Sequence, residues 1–348
     1  MKILYAAAQA PGRASVYRVW ALRRLGHEVI VVDTLEYRSA NSLLRKLEFR
    51  VAAGPNANRL NRDLLRLADE EKPDVFWADK VLLLAPQTLR TMRGLGIATV
   101  SYVIDNPFGP RRDPGWRRYV RTIPLFDLHV TQRDSSIPEY RRRGAKDVMK
   151  ELIGYEPTMH FPPPPPWTDA QRDREVSFIG MPYDDRGKVL TQVSEAGTPL
   201  AVSGNAEAWR RKLSAGAFAK IVRGGELWGD AYREGIWRSK INLSFVTHAN
   251  LDECAQKTFE IAASGGFLLA ERSEGHARLF AEDEEAVFFS TADELIAKAQ
   301  RYLPDEAARD RIAAAGQARA LRDGYANDMQ VGRILDRLRV DGAGQRTA

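Results

Sequence analysis

The sequence predicts an α/β protein made of two Rossmann-like, doubly wound domains, and three observations carry this prediction. The chain has 348 residues, more than one ordinary hydrophobic core fills. Strand-like and helix-like segments alternate along both halves, as in parallel sheets covered by helices. Five consecutive prolines at 162–166 separate the halves, because such a run fits neither a helix nor a central strand.

In the first half, short apolar and β-branched stretches predict strands, and longer segments between them predict helices. The predicted strands are 2–8, 28–33, 74–78, 98–104 and 128–131. The predicted helices are 16–25, a longer polar helical region at 39–71, 86–93 and 136–143. Ser15 stands at the N-cap of the first helix and Gly26 just past its end. Residues 98–104 are almost continuously apolar, which is typical of a strand buried on both faces.

The second half repeats the alternation. Its predicted strands are 176–180, 199–203, 220–222, 241–246, 267–271 and 286–289. Its predicted helices are 188–196, 206–213, 230–238 and 253–264, followed by two or three more from residue 292.

The proline run sets the predicted domain boundaries. We expect a first domain at 1–161, a linker at 162–170, a second domain at 171–325, and a C-terminal helix and tail at 326–348 that can cross back to the first domain. A stiff polyproline II connector is the favoured interpretation of the run, and a ligand for an aromatic groove of a partner is the alternative.

Composition excludes several classes of protein. No apolar run approaches the roughly 18 residues that cross a bilayer, and the apolar start of the chain is too short for a signal peptide. The single cysteine, Cys254, excludes an intrachain disulfide and favours a cytoplasmic location. Residues 1–166 carry 27 Lys or Arg against 18 Asp or Glu, a net charge of +9, whereas the remainder carries 25 against 28, a net charge of −3. This asymmetry indicates that the first half binds an anionic partner, which would place the protein at the periphery of an anionic surface. The alternative is a basic surface that is merely solvated.

Two nucleotide-binding motifs are absent. The loop after the first strand has one glycine, Gly12, so the Gly-x-Gly-x-x-Gly fingerprint of dinucleotide cofactors is missing. Gly180 and Gly187-Lys188 resemble a P-loop, but the spacing is two residues too long and Val189 replaces the magnesium-binding Ser or Thr. A strand, a turn and a helix N-terminus still favour an anion there, with Arg186 and Lys188 as cationic donors. The alternative is a solvated basic turn.

The segment Lys-Thr-Phe-Glu-Ile-Ala-Ala-Ser-Gly-Gly-Phe-Leu-Leu at 257–269 resembles the CgeB-like, spore-protein-related glycosyltransferases of the group 1 GT-B superfamily. Further matching pieces lie at 176–180, 240–243, 279–280, 285–289, 293–295 and 315–316, so the resemblance covers roughly 176–325. It implies the GT-B fold, with two Rossmann-like domains facing across a cleft that closes on its substrates. It also implies transfer of a hexose or pentose from a nucleotide-diphosphate sugar with retention of the anomeric configuration.

The resemblance further implies a donor site. Glu260 matches the acidic residue that holds the nucleotide ribose, and Asp252 occupies the preceding acidic position, where the family usually has Glu. Lys257, one helical turn before Glu260, would neutralise the diphosphate; a surface Glu–Lys pair is the alternative. The donor-binding residues that we expect are Gly180, Arg186, Asn250, Asp252, Lys257, Thr258, Glu260, Gly275 and His276.

In the first domain, polar residues follow two predicted strands, at the edge where ligands of parallel sheets bind. The candidates are Asp79, Lys80 and Asp105. We predict that Asp79 and Asp105 are catalytic residues, together with Lys257 and Arg186. We predict that Lys80 contacts the acceptor. Loop-capping Asp residues are the alternative. An arginine-rich stretch supplies four more predicted acceptor contacts, Arg111, Arg112, Arg117 and Arg118, and Arg121 belongs to the same stretch. It can equally be a solvated helix face.

No Asp-x-Asp sequence occurs in the chain, so we expect metal-independent catalysis and no cofactor besides the nucleotide-sugar co-substrate. The acceptor is predicted to be anionic: a polysaccharide, a protein, a nucleic acid or a membrane-associated glycan. Two alternatives stay open: a nucleotide-sugar-binding or scaffold protein without turnover, and a glycosyltransferase that modifies nucleic acid.

Overall fold

The computed structural model describes residues 1–51, 53–110 and 114–345, which form two compact units. The first unit contains Met1–Ile153 and the C-terminal helix from Asn327 onward; the second is Gly154–Ala326. None of the described helices is long and apolar enough to cross a membrane.

The first unit is built on a six-stranded parallel sheet. Its strands are β1 (Lys2–Ala7), β2 (Glu28–Asp33), β3 (Val75–Asp79), β4 (Ala98–Tyr102), β5 (Leu128–Thr131) and β6 (Val148–Lys150). Its first six helices are α1 (Ala14–Arg24), α2 (Ser42–Val51), α3 (Pro55–Glu71), α4 (Pro86–Gly94), α5 (Trp116–Thr122) and α6 (Ser136–Arg142). The strand order is β2-β1-β3-β4-β5-β6, so the direction of winding reverses between β1 and β3.

Both faces of this sheet are buried, which explains the nearly continuous apolar strands. In β1, Ile3 and Tyr5 pack in one cluster with Val19 and Leu22 of α1. Leu4 and Ala6 point the other way, into a cluster with α3 and α4. The strict alternation of the two sets follows from the two-residue period of a strand.

The helical region predicted at 39–71 is divided into α2 and α3 at Gly54. This residue has a φ of 141°, a backbone conformation that favours glycine. The short edge strand β6 was not predicted, since three residues carry too little periodicity.

The second unit contains another six-stranded parallel sheet, in the order β12-β11-β10-β7-β8-β9. Its strands are β7 (Arg174–Ile179), β8 (Leu200–Ser203), β9 (Val222–Gly224), β10 (Ser239–Ser244), β11 (Leu268–Glu271) and β12 (Val287–Phe289). Its helices are α7 (Arg186–Glu195), α8 (Ala206–Arg210), α9 (Ala215–Ile221), α10 (Gly229–Trp237), α11 (Gln256–Ala263), α12 (Glu274–Leu279), α13 (Ala292–Tyr302) and α14 (Glu306–Arg322). The winding reverses between β7 and β10, and the predicted class, two doubly wound α/β sheets, is confirmed.

Strand β10 alternates apolar and polar residues, yet both of its faces are buried. Ile241 and Leu243 lie in the main core of the unit. On the other face, the Asn242 amide donates to the Ile236 carbonyl oxygen at 3.2 Å, and the Ser244 hydroxyl contacts Thr258 Oγ1 at 3.0 Å. Helix α11 therefore lies on a polar strip of the sheet, and hydrogen bonds offset the cost of burying that strip.

The proline run at 162–166 belongs to the second unit, so the division falls after Ile153 and not after residue 161 as predicted. The aromatic residues on either side of the run hold it there. The rings of Phe161 and Trp167 lie 5.7 and 5.9 Å from that of Trp237. Trp167 Nε1 donates to the Trp237 carbonyl oxygen at 3.0 Å. These contacts pack the run against α10. A connector that only joins two domains would not need such contacts.

The last helix, α15 (Asn327–Gln345), packs in the first unit. Its residues Val331, Ile334, Leu335 and Leu338, one helical face, join the cluster around α1. Three arginine–carboxylate pairs frame the same helix: Arg24–Asp328, Arg333–Glu151 and Arg337–Asp147, with shortest distances of 2.8, 2.8 and 2.7 Å.

Candidate functional site

The candidate donor site lies in the second unit, at the carboxyl ends of β7 and β10. These two strands are neighbours at the point where the winding reverses, and the loops that follow them diverge there. Such a divergence leaves a crevice in which open α/β sheets bind their ligands. Helix α7 follows β7, and α11 follows β10.

Arg186 begins α7 and connects the two loops. Its guanidinium donates to the carbonyl oxygens of Phe245 and Val246 at 3.4 and 3.0 Å and to Thr247 Oγ1 at 3.0 Å. Burial lowers the pKa of Arg186, and the nearby acids, among them Asp184, oppose that shift. Its buried Nε has no hydrogen-bond partner among the described residues. Arg186 therefore holds the loop after β10, and its buried Nε–H group is still able to donate to a ligand.

Lys257, in the first turn of α11, lies across from β7. Its Nζ is 3.6 Å from the position that a Cβ on Gly180 would occupy, and 5.4 Å from the centre of the Tyr232 ring. Burial lowers the pKa of Lys257 to about 8; Glu260 opposes the shift and Arg186 adds to it. Within the described ranges Nζ has no hydrogen-bond partner. A half-buried ammonium beside bare glycine backbone is suited to an anion.

Glu260 lies one turn further along α11 and is almost fully buried. Its carboxylate accepts from the Tyr232 hydroxyl at 2.6 Å and from the Gln256 amide at 2.9 Å, and His160 Nε2 is 3.7 Å away. Each carboxylate oxygen can accept two hydrogen bonds. Glu260 therefore retains acceptor capacity for a ligand hydroxyl after its two bonds within the unit.

Thr258 and His276 form a buried chain of hydrogen bonds beneath the site. His276 Nδ1 lies 2.7 Å from the Glu271 carbonyl oxygen, which can only accept, so Nδ1 carries the proton. Burial lowers the pKa of His276 to about 4, so the ring is neutral and Nε2 accepts from the Thr258 hydroxyl at 2.9 Å. Both ring nitrogens are thus used within the unit, and a direct donor contact of His276 or Thr258 stays a prediction.

Asn250 and Asp252 lie in the loop between β10 and α11. The Asn250 side-chain amide donates to Asp252 Oδ1 at 2.8 Å, and the Asp252 backbone N–H donates to the Thr247 carbonyl oxygen at 3.2 Å. The charge of Asp252 acts on Arg186. The structure therefore brings Asp252 to the same end of the sheet as Arg186 and Lys257.

Gly275 is required for packing. A Cβ at this position would lie 2.2 Å from the Glu253 carbonyl oxygen, which also accepts from the Ser273 hydroxyl at 2.5 Å. Helix α12 is thereby pressed against the loop that precedes α11.

We expect Gly275→Ala to destabilise the protein by about 1–3 kcal/mol, because the added methyl must displace backbone. Urea unfolding measures the change. Gly216→Ala in α9 is the matched control: nothing lies within 4 Å of its added Cβ, so stability should stay equal or rise slightly. Equal stability of both variants would contradict the close packing of α12.

In the first unit, Asp79 ends β3 in a buried ion pair. Its Oδ2 accepts from the Tyr5 hydroxyl at 2.5 Å and from Arg18 Nε at 2.8 Å. Arg18 is itself buried and stacks on the Tyr102 ring, with the guanidinium carbon 4.2 Å from the ring centre. This pair gives Asp79 a structural role between α1 and the sheet, and its catalytic role stays a prediction.

Lys80 and Asp105 lie together, as the strand pattern predicts. Lys80 follows β3 in a left-handed conformation, φ 53°, and its Nζ forms an ion pair with Asp105 after β4. The same Nζ lies 6.0 Å from the centre of the Trp116 ring. The side chains are partly exposed at the carboxyl edge of the sheet, where a ligand can reach them.

The arginine-rich stretch is described only from residue 114 onward, so Arg111 and Arg112 lie outside the described residues. Helix α5 exposes Arg117 and Arg121. Arg118 Nε donates to the Leu84 carbonyl oxygen at 3.1 Å, and burial lowers the pKa of Arg118. Arg118 is therefore partly used in packing α5 against the loop after β3.

Three residues around the donor site were not predicted from the sequence: Tyr232, His160 and Glu271. Tyr232 binds Glu260 from α10, and His160 approaches it from the segment before the proline run. Glu271 ends β11, and its carboxylate accepts from the Val246 amide at 3.1 Å and contacts His248 at 2.7 Å. The position of Glu271 at the carboxyl end of a predicted strand is a signal that could have identified it.

Comparison with solved structures identifies the fold as GT-B. Sucrose-phosphate synthase from Thermosynechococcus elongatus matches with a TM-score of 0.71 at 14% identity, over 98% of this chain and 100% of that one. HepE from Anabaena in complex with UDP matches with a TM-score of 0.65 at 14% identity, over the same shares. A glycosyltransferase from Rickettsia africae matches with a TM-score of 0.67 at 14% identity, over 97% of each chain.

Residues 186–336 match the family described as glycosyl transferase-like. This range includes Arg186, Lys257 and Glu260. The match covers less than half of the chain, so membership of the group 1 glycosyltransferases, and of the CgeB-like branch within them, stays a prediction. No curated protein sequence is significantly similar to the chain.

Proposed function

We propose that the protein is a glycosyltransferase that moves a sugar from a nucleotide-diphosphate sugar to an acceptor. The observation that carries the proposal is the half-buried ammonium of Lys257, which has no partner among the described residues and lies beside the glycine backbone at the carboxyl end of β7, with Arg186 nearby. The family match over 186–336 supports the same chemistry.

In the proposed reaction, the bond between the anomeric carbon and the diphosphate oxygen breaks, a bond to the acceptor oxygen forms, and the proton of the acceptor hydroxyl passes to the departing diphosphate. The diphosphate leaves with the bonding electrons, and Lys257 and Arg186 stabilise its growing charge. Glu260 binds the ribose hydroxyls, and Asp252 lies toward the sugar. We propose further that the configuration is retained, that no metal is needed, and that Asp105 with Lys80 contacts the acceptor.

The donor class is the first point to test. HepE has been solved with UDP and with UDP-glucose, which makes UDP-glucose the first candidate for this chain. Calorimetric titration with UDP, GDP and TDP sugars should find one base that binds with micromolar affinity. Binding of none of them would reject the proposal.

Turnover separates an enzyme from a binding protein. Nucleotide release should require both donor and acceptor and should persist in EDTA. A donor that binds tightly but is never consumed, across neutral and anionic acceptors, would favour the non-catalytic alternative. Strict dependence on an added divalent cation would overturn the metal-independent mechanism.

We expect an anionic acceptor, because the first 166 residues carry a net charge of +9. The acceptor KM should then rise steeply with salt, since contacts to a polyanion release counterions. Replacing exposed Arg117 and Arg121 by glutamine should raise KM and flatten the salt response.

Arg62→Gln with Arg90→Gln is the control, since it removes the same charge from α3 and α4. Equal responses of the two double variants would show that the α5 arginines are only a solvated face, and nucleic acid and other polyanions would then lose support as acceptors.

A further inference from the structure

Helix α2 presents an apolar face that no described residue covers. Four of its residues form what we call the α2 stripe: Leu43, Leu44, Leu47 and Val51, which are 73%, 53%, 56% and 59% exposed. No other described helix exposes as many large apolar side chains. Exposed apolar residues gathered on one element indicate an interaction surface, whereas scattered ones do not.

The helix is attached along a different side. The Asn56 amide donates to both oxygens of Glu48 at 3.1 and 3.2 Å, and Asn41 Oδ1 accepts from the Leu43 amide at 2.9 Å as a cap. At 3.6 residues per turn the α2 stripe covers an arc of roughly 100°. Lys46 and Arg50, both exposed, border that arc. The helix thus has the composition of an interfacial amphipathic helix: apolar residues on one face and cations beside them.

A cluster of cations adjoins the start of α2. Arg13 lies in the loop after β1, Arg38 in the loop after β2 and Arg45 on α2 itself. Burial together with the charges of Arg13 and Arg45 lowers the pKa of Arg38, so the three guanidiniums lie close enough to repel one another. In the described part of the chain, neither Arg13 nor Arg38 forms an ion pair. The Asp33 carboxylate opposes this pKa shift, but three adjacent cations outnumber that one carboxylate and favour a further anion between them.

We propose that α2 docks on an anionic lipid surface. The α2 stripe enters the boundary between headgroups and acyl chains, while Lys46, Arg50 and the cluster of Arg13, Arg38 and Arg45 contact lipid phosphates. The apolar stripe matches the acyl chains of such a surface, and the bordering cations match its phosphates.

Charge decides between a bilayer and a second copy of the chain. Two copies paired through the α2 stripe would bring their bordering cations together, which costs free energy. A lipid surface that carries phosphates instead attracts every one of these side chains. The carboxyl ends of β1 and β2, where Arg13 and Arg38 lie, then face the membrane.

Vesicle sedimentation of the full chain tests the proposal. Binding should be strong to vesicles of phosphatidylcholine with phosphatidylglycerol, weak to phosphatidylcholine alone, and reduced by salt. Leu43→Ser with Leu47→Ser should weaken binding at least tenfold. The control Leu321→Ser with Met329→Ser, equally exposed positions on α14 and α15, should leave binding unchanged.

The cations are tested in the same assay. Arg38→Gln with Arg45→Gln should weaken binding to the anionic vesicles by roughly 25-fold, about fivefold for each cation. Arg62→Gln with Arg90→Gln should have a much smaller effect. Circular dichroism confirms that each variant is folded.

Two outcomes would overturn the proposal. One is equal binding, or none, to both kinds of vesicle by the original protein. The other is a dimer in solution that Leu43→Ser with Leu47→Ser converts to monomer, which would assign the α2 stripe to a second copy. Because the assay contains neither donor nor acceptor sugar, its failure leaves the proposed transfer reaction untouched.

Discussion

Replacing Lys257 by methionine should lower kcat by roughly 100- to 1,000-fold and leave nucleoside binding nearly unchanged. A single preorganised donor aimed at a developing negative charge contributes about this much to catalysis. The Lys257 ammonium has no hydrogen-bond partner in the described structure, so a leaving diphosphate would meet a cation that is not already neutralised. Steady-state kinetics with the identified donor, together with calorimetric titration of the free nucleoside, separates the two effects.

The same variant should be more stable than the original protein at pH 7. Burial lowers the pKa of Lys257 from 10.5 to about 8, so the unfolded chain binds more protons between these values and stability rises with pH across that window. Below pH 8 the charged side chain therefore costs stability, about 1–2 kcal/mol after allowance for its partial exposure. Urea unfolding measures the gain. A variant that is slow because it is unfolded would instead be less stable.

Activity should fall as pH rises through the pKa of Lys257. The profile of kcat/KM reports groups of the free enzyme, so a descending limb is expected near pH 8. Lys257→Arg keeps its charge at higher pH, and its profile should stay flat there. A descending limb at the same pH in both proteins would assign the titration to another group. Arg186→Ala is a less clean probe, because its guanidinium also holds the loop after β10.

Replacing Glu260 by alanine should weaken nucleotide binding by at least 100-fold. Two hydrogen bonds from ribose hydroxyls to a carboxylate are worth roughly 1.5–3 kcal/mol each, and alanine removes both. The loss should appear equally with the nucleoside and with the nucleotide sugar, because the contact lies on the ribose. Calorimetric titration measures it.

Two controls define the role of Glu260. Glu274→Ala removes an exposed carboxylate from α12 of the same unit, and affinity should not change. Tyr232→Phe removes the 2.6 Å bond that positions Glu260 but leaves its charge, so we expect a smaller loss, about tenfold. Unchanged affinity in a folded Glu260→Ala protein would exclude the ribose contact.

Much of the site follows from local sequence. Strand segments are readable because alternation and apolar runs are properties of neighbouring residues. Ligands bind at the carboxyl ends of parallel strands, so each predicted strand also indicates which residues follow it at the binding edge. That reasoning placed Lys80 and Asp105 at the carboxyl ends of their strands, and the strand–turn–helix pattern placed Arg186 at the start of the helix after β7, whereas Lys257 came from the family resemblance. The same reasoning placed Asp79 at the end of its strand too, but could not foresee Arg18, which lies 61 residues away in the chain and occupies the carboxylate.

By itself, then, the sequence determined the two parallel sheets apart from β6 and the position of β9, most of their helices, and the polar residues at their carboxyl edges. The tertiary structure decided which distant residues meet: Tyr232 and His160 at Glu260, aromatic rings that pack the proline run against α10, and α15 in the core of the first unit. It also decided that the α2 stripe stays uncovered, although its leucines read in sequence like those of any amphipathic helix. The physical reason is that burial follows the period of a strand or helix, which neighbouring residues reveal. The partner of a buried charge or of an apolar face is instead set by packing between segments that are distant in the chain, and no local pattern connects them.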